Sequence, residues 1–164
     1  MGKRFAAASF LLAVGCVSSG GLRPLSETLP SEIPSAAARA GWERIDGDYD
    51  TPSEHVRYSL FVDPERPGLF RITQYRVSRR PPGAGKRPRF EDAAEIVVWN
   101  EVPEHRVPLR CFAEEPAPPT TSRASRATWR QVSPATPEFL ASMHRAMEIY
   151  TRVRREGRAG PPVG

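Results

Sequence analysis

The feature that most constrains the fold is a pair of apolar segments separated by strong turn residues. Within residues 55–62 every second side chain is apolar, namely Val56, Tyr58, Leu60 and Val62. Such alternation is typical of a strand with one buried face. Residues 63–68 contain two prolines and a glycine, which favour a turn. Residues 69–77 are rich in aromatic and β-branched side chains and predict the returning strand of an antiparallel hairpin.

Four further segments have the composition of strands. They are residues 41–45, 95–102, 106–113 and 127–132. Asp46 and Gly47 predict a turn directly after the first of them. Pro108 favours an edge position or a bulge for the strand that contains it, because proline cannot donate a backbone hydrogen bond.

The end of the chain predicts an amphipathic helix. Thr136 is a natural N-cap, Pro137 suits the first helical position, and Gly157 is a fitting stop. Helical spacing predicts one buried face that includes Phe139, Leu140, Met143, Met147, Ile149 or Tyr150, and Val153. Strands followed by one helix indicate an α+β fold, in which an antiparallel sheet of about five strands carries the C-terminal helix on one face.

The N-terminal residues have the pattern of an export signal. Lys3 and Arg4 form a basic head, and residues 5–15 are uncharged and either apolar or small. This run is shorter than the roughly 20 apolar residues that span a bilayer. It ends in Ala13-Val14-Gly15-Cys16, and a cysteine after small residues at this position resembles the lipobox of bacterial lipoproteins.

The resemblance covers residues 1–16 and implies that Cys16 is lipidated and becomes the new N-terminus. Several acyl chains together hold a protein stably on a membrane. Val17 is not an aspartate, which in such lipoproteins implies sorting to the periplasmic face of the outer membrane. The alternative is plain secretion after cleavage of an ordinary signal peptide.

The composition divides the chain into four parts. Residues 1–15 are expected to be a signal peptide, and residues 16–40 a lipid-anchored flexible tether interrupted by prolines. Residues 41–156 are expected to form one α+β domain, followed by a disordered tail at residues 157–164. If Cys16 is acylated, Cys111 is the remaining thiol, and its place in an apolar alternation predicts a buried structural thiol. If Cys16 is not acylated, a disulfide between Cys16 and Cys111 can form in an oxidising compartment.

The formal net charge is +5, and all but two of the 24 basic residues are arginine. Because export separates the chain from nucleic acid, we expect no nucleic-acid partner. The most distinctive surface feature is a proline- and glycine-rich basic loop at residues 79–89. Its cationic side chains could pair with lipid headgroups, other phosphates or an acidic envelope protein, and they are Arg79, Arg80, Lys86, Arg87 and Arg89.

No motif predicts catalysis or a cofactor. Asp46, Asp48 and Asp50 resemble the start of a calcium loop, but Thr51 and Arg57 stand where that loop needs glycine and glutamate. His55, His105 and His144 have no metal-ligand spacing. We therefore expect no metal and no catalytic residue, and the leading hypothesis is a non-enzymatic binding or adaptor module of the cell envelope. The alternatives are a small periplasmic enzyme or metal-dependent hydrolase that uses His55, His105 or His144 with a nearby carboxylate, and a secreted ligand-binding protein.

Overall fold

The computed structural model describes residues 25–26, 28–65, 70–79, 93–101, 109–115 and 127–157. These residues form six strands and one helix. The strands are β1 (Glu43–Asp50), β2 (Glu54–Val62), β3 (Ile72–Arg79), β4 (Glu95–Asn100), β5 (Leu109–Glu115) and β6 (Thr128–Val132), and the helix is α1 (Pro137–Arg155). Each strand pairs antiparallel with the next along the chain, so the sheet order is β1-β2-β3-β4-β5-β6. The predicted α+β architecture is therefore confirmed, with six strands in the sheet.

The principal core lies between α1 and one face of the sheet, which we call the helix face. Val56, Tyr58 and Leu60 of β2 lie there, together with the buried Val98 and Cys111 of the central strands. The alternation of β2 thus decides which face receives the helix, as the sequence predicted. Cys111 is fully buried, which confirms the prediction of a buried thiol.

The helix begins where its capping residues predict. The Thr136 hydroxyl accepts a hydrogen bond from the Phe139 amide at 3.3 Å, and Pro137 occupies the first turn. Glu156 caps the C-terminus, and Gly157 follows with a φ of +66°, a left-handed conformation that favours glycine.

The buried face of α1 consists of Phe139, Ser142, Ala146, Ile149 and Val153. Leu140 and Met147 are 50% and 37% exposed, so their predicted place in the core is wrong. They lie about 100° around the helix axis from Phe139 and Ala146.

Two sequence predictions about the strands also fail. The turn expected at Asp46 and Gly47 is absent, since both residues lie within β1, opposite Ser59 and Tyr58 of β2. Cross-strand pairing prevails there over the local turn preference. The edge position predicted from Pro108 is wrong, because β5 pairs with both β4 and β6, whereas the alternative of a bulge at Pro108 lies outside the described residues.

The opposite face of the sheet, which we call the second face, carries a smaller apolar cluster. Phe61, Ile72, Val97 and Phe112 are buried in it, and Trp42, Trp99 and Trp129 pack against them partly buried. Ile33, from the segment before β1, completes the cluster. We call residues 25–42, of which 25–26 and 28–42 are described, the N-terminal strap.

The strap differs from the tether that its prolines predicted. Leu25 and Ile33 are 7% and 6% exposed, so this part of the predicted tether is packed rather than free in solution. The physical reason is that the second face carries apolar side chains that need a cover. The remainder of the tether, residues 16–24, lies outside the described part of the chain.

Candidate functional site

A group of buried charged and amide side chains lies on the second face, where the strap begins. Gln74 and Arg76 come from β3, Glu95 is the first residue of β4, and Glu114 comes from β5. Arg76 and Glu95 stand directly opposite each other in the antiparallel register. Residues at i and i+2 of a strand share a face, so neighbouring strands bring all four side chains together. We call these four residues the second-face polar cluster.

Its centre is an ion pair without solvent contact. Arg76 Nη2 lies 2.6 Å from Glu95 Oε2, and Arg76 Nε lies 3.2 Å from the same oxygen. The two side chains are 1% and 0% exposed. Arg76 Nη2 also approaches Glu114 Oε2 at 3.5 Å, and the Glu95 amide donates to that oxygen at 3.3 Å. Burial of both charges is costly unless they pair with each other and with further polar groups, and this arrangement supplies such partners.

The strap supplies further polar contacts through the main-chain N–H and C=O groups of one residue, Ser26. The backbone amide of Ser26 donates to Glu95 Oε2 at 3.0 Å. The Gln74 side-chain amide donates to the Ser26 carbonyl oxygen and to Glu95 Oε1. The cluster therefore holds the main chain at the start of the strap. One nitrogen of the cluster, Arg76 Nη1, is buried and has no hydrogen-bond partner among the described residues.

A second polar group lies at the end of β1 that leads into the turn to β2. His55 Nδ1 is 2.5 Å from Asp50 Oδ1, and His55 Nε2 is 3.7 Å from Asp48 Oδ2. The histidine is 6% exposed, whereas the side chains of Asp48 and Asp50 are about half exposed. The three aspartates that resembled a calcium loop thus alternate along β1, with Asp46 bound to the Ser59 hydroxyl at 2.5 Å. Within the described ranges, no group of three or more metal-ligating residues could hold an ion.

Of the three histidines of the alternative enzyme, the two that the structure describes, His55 and His144, do not converge. His55 shares the second face with its aspartate partners, since its neighbour Val56 faces the helix. His144 lies on α1, which covers the helix face. The two imidazoles are therefore on opposite sides of the sheet, and His105 lies outside the described residues. No single site can use both His55 and His144.

The helix face carries its own polar contacts. Arg145 joins α1 to the first two strands, since its guanidinium lies 2.5 Å from Glu54 Oε2 and 3.3 Å from the Tyr49 hydroxyl. Arg152 stacks over the Tyr49 ring at 4.2 Å. Burial raises the pKa of the Tyr49 hydroxyl, an effect that its hydrogen bond to Arg145 opposes. These contacts fix the helix across the sheet and leave Tyr49 protonated at neutral pH.

Two buried ionisable groups lie under α1. Burial raises the pKa of the Tyr75 hydroxyl and of the Cys111 thiol, and Ser142 opposes both shifts by hydrogen bonding. A nucleophilic cysteine needs a lowered pKa and access to solvent. Cys111 has neither property, so the structure gives it no nucleophilic role.

Two open surface depressions are lined by described residues. One, of about 630 Å³, lies along the C-terminal half of α1 and includes His144, Met147 and Arg155. The other, of about 360 Å³, lies beside Trp42, Asp63 and Arg71. The Arg71 guanidinium lies 5.2 Å from the Trp42 ring centre and donates to the Glu101 carbonyl at 3.0 Å. Arg71 Nε is buried and has no hydrogen-bond partner among the described residues, so these contacts satisfy the guanidinium only in part.

The residues predicted to bind partners lie mostly outside the described part of the chain. Cys16 is not among the described residues, nor are Arg80, Lys86, Arg87 and Arg89. Arg79 is the exception, and it is exposed at the end of β3. In the part of the chain that is described, no helix is both long and apolar enough to cross a bilayer.

Comparisons with protein families, with curated proteins and with solved structures gave no match for this chain.

Sequence reasoning missed the second-face polar cluster. The sequence analysis assigns no role to Arg76 or to the Glu95 side chain, and it places Ser26 in the tether. A signal was present in Ile72 and Val97, which are apolar positions on the face that the alternation leaves to solvent. Apolar residues on both faces of a strand indicate that both faces are covered.

Proposed function

We propose that this chain is a lipid-anchored binding module of the bacterial cell envelope, held by Cys16 at the periplasmic face of the outer membrane. The basic loop at residues 79–89 is proposed as its contact with an anionic envelope component. The resemblance of residues 1–16 to a lipobox signal supports the anchor.

The observation that carries the proposal is the contact between Ser26 and Glu95. Ser26 binds the first residue of β4, and the rest of the strap lies toward Ile72 and Trp99 at the other end of these strands. β3 ends at Arg79, so the chain that connects β3 to β4 leaves the sheet at the same end as the chain that leads back to Cys16. In an anchored domain, the segment that carries the basic residues would begin and end at the edge of the sheet where the strap starts.

The charge of this loop fits an anionic surface. Five cationic residues lie within eleven positions, namely Arg79, Arg80, Lys86, Arg87 and Arg89. Each basic residue close to an anionic membrane contributes about 1 kcal/mol, and the attraction falls off within a Debye length. The same guanidinium groups suit phosphate or carboxylate on an envelope protein.

Mass spectrometry of the mature chain, purified from native envelopes in mild detergent, tests the anchor. A lipid-sized increment on Cys16 is expected, and an unmodified Cys16 would remove the anchored module from consideration. The same purification identifies an envelope protein that comes down in constant ratio.

Binding to vesicles of anionic and of neutral lipid tests the basic loop. Glutamine at the five cationic positions should abolish the preference for anionic vesicles without unfolding the domain. A matched control replaces Arg154 and Arg155, at the end of α1, by glutamine. Equal binding by the loop variant and the original chain would discard the loop as the contact.

A further inference from the structure

Among the described residues, the strap is held to the second face by side-chain packing and by the main-chain groups of Ser26. Its backbone hydrogen bonds over residues 30–42 close within the strap itself, as from Ile33 to Pro30 at 3.0 Å and from Trp42 to Arg39 at 2.9 Å. The Ser26 main chain binds Glu95 and Gln74, and the Arg39 guanidinium lies 5.0 Å from the Phe61 ring centre. Leu25, Pro30 and Ile33 are buried, and Leu29 and Trp42 pack partly buried on the second face.

The strap covers charges that water would solvate well. Arg76 and Glu95 lie under its first residues, and burial of an ion pair removes the hydration of both groups. Detachment of the strap would return water to this pair and to the Gln74 amide. Part of the free energy lost with the apolar contacts of Leu25 and Ile33 would thereby be recovered.

The rest of the domain does not depend on the strap for its principal core. Among the residues that the structure describes, none that precedes Ile45 belongs to the cluster between α1 and the helix face. On the second face, Phe61, Ile72, Val97 and Phe112 contact one another and the half-buried Trp99 and Trp129. The sheet and helix therefore retain their mutual packing when the strap leaves.

We propose that the N-terminal strap detaches from the second face as a unit, while the six strands and α1 stay folded. The maximum distance between the domain and Cys16, its proposed attachment point, therefore differs between the docked and the released strap. With the strap docked at Leu25, nine peptide steps separate the domain from Cys16, a reach of at most about 30 Å. With the strap released as far as Glu43, 27 steps are available, and the limit rises to roughly 90 Å. The consequence for reach rests on the proposed lipid anchor, whereas the detachment itself does not.

Thiol labelling of the native chain tests the detachment. The variant combines Cys16→Ser with Ile33→Cys, so that one thiol reports on the strap and Cys111, fully buried under α1, reports on unfolding of the domain. We expect the thiol introduced by Ile33→Cys to be labelled at least about tenfold faster than Cys111, with a weaker dependence on urea, because opening of the strap exposes less surface. Equal rates with equal urea dependence would overturn the proposal.

Further variants keep the test decisive. A thiol introduced by Ile72→Cys, which the strap covers on the second face, should also be labelled faster than Cys111, whereas one introduced by Leu60→Cys, buried under α1, should be labelled at the rate of Cys111. Adding Ser26→Pro to the Ile33→Cys chain removes the amide that Glu95 accepts and should accelerate labelling at position 33 at least about threefold, with Cys111 unchanged. If Ile33→Cys fails to fold, Leu25→Cys serves the same purpose at the other buried contact. Because every chain lacks Cys16, the result does not depend on lipidation, and loss of the anchor is detected separately by the mass of the native protein.

Discussion

Arg76 and Glu95 stand opposite each other on adjacent strands, and the carboxylate that neutralises the guanidinium also accepts the amide of Ser26. One buried ion pair thus joins the centre of the sheet to the chain that leads toward the proposed anchor. Attachment of the strap and neutralisation of Arg76 are coupled through the same oxygen atom.

Removal of one partner of this pair should be strongly destabilising. Arg76→Met leaves the Glu95 carboxylate buried without its cation, and we expect a loss of about 3–5 kcal/mol in the free energy of unfolding. The double variant Arg76→Met with Glu95→Leu buries no charge at this position and should be more stable than Arg76→Met alone. Urea unfolding of the four chains gives the coupling free energy, and additive losses would contradict the interpretation.

When an apolar side chain of α1 is replaced by alanine, the loss in the free energy of unfolding should follow the burial of that side chain rather than its hydrophobicity. Ile149 is fully buried, and Ile149→Ala is expected to cost about 2–5 kcal/mol through lost contacts and a residual cavity. Leu140 is equally apolar but half exposed, and Leu140→Ala should change the free energy of unfolding by less than about 0.5 kcal/mol. Equal losses in thermal or urea unfolding would mean that the helix is rotated relative to the sheet.

The N-cap can be tested with the same substitution at two positions. Thr136→Ala removes the acceptor of the Phe139 amide and the donor to the Ser133 carbonyl, and it should cost about 1 kcal/mol. Thr151 is exposed within α1, and Thr151→Ala should be neutral or slightly stabilising, because alanine is the better helix former. If both variants lose the same stability, the hydrogen bonds of Thr136 do not contribute specifically to the stability of the helix.

The sequence carried enough information for the hairpin, the sheet class and the helix boundaries, because each depends on local pattern. The alternation of apolar residues predicts β2 from the residues of that strand alone, and Thr136 and Pro137 predict the start of the helix that follows them directly. The strap did not follow from its own residues, since prolines and serines are equally suited to a free linker. Its position depends on side chains about 40–80 residues away, notably Ile72, Glu95 and Phe112.

The polar cluster illustrates the same difficulty at the level of single residues. Arg76 lies between Tyr75 and Val77, which pack toward the helix face, so simple alternation assigns Arg76 to solvent. Its burial depends on whether the second face is covered, and this is a tertiary property. The residue that completes the cluster, Ser26, has no sequence pattern that distinguishes it from other serines of the tether.

The two buried groups under α1 predict a loss of stability in alkali. The pKa of the Cys111 thiol is raised above its ordinary value of 9.0, and that of the Tyr75 hydroxyl is raised above 10.0, in both cases chiefly by burial. The folded chain therefore retains these protons at pH values at which the unfolded chain releases them. Their contribution to stability is complete below pH 9 and is lost as the pH rises from the unfolded pKa toward the folded one.

Urea unfolding measured at intervals from about pH 7 to about pH 10.5 should show this decline, beginning near the ordinary thiol pKa. Cys111→Ala removes the first titrating group, so this variant should be less stable at pH 7 but should lose less stability between about pH 9 and pH 10 than the original chain. Ser142→Ala, which removes the hydrogen-bond partner of both groups, is the complementary variant and should steepen the decline. A profile for Cys111→Ala that parallels the original chain throughout would show that the thiol contributes nothing to the alkaline transition, and the decline would then belong to Tyr75 and the other tyrosines.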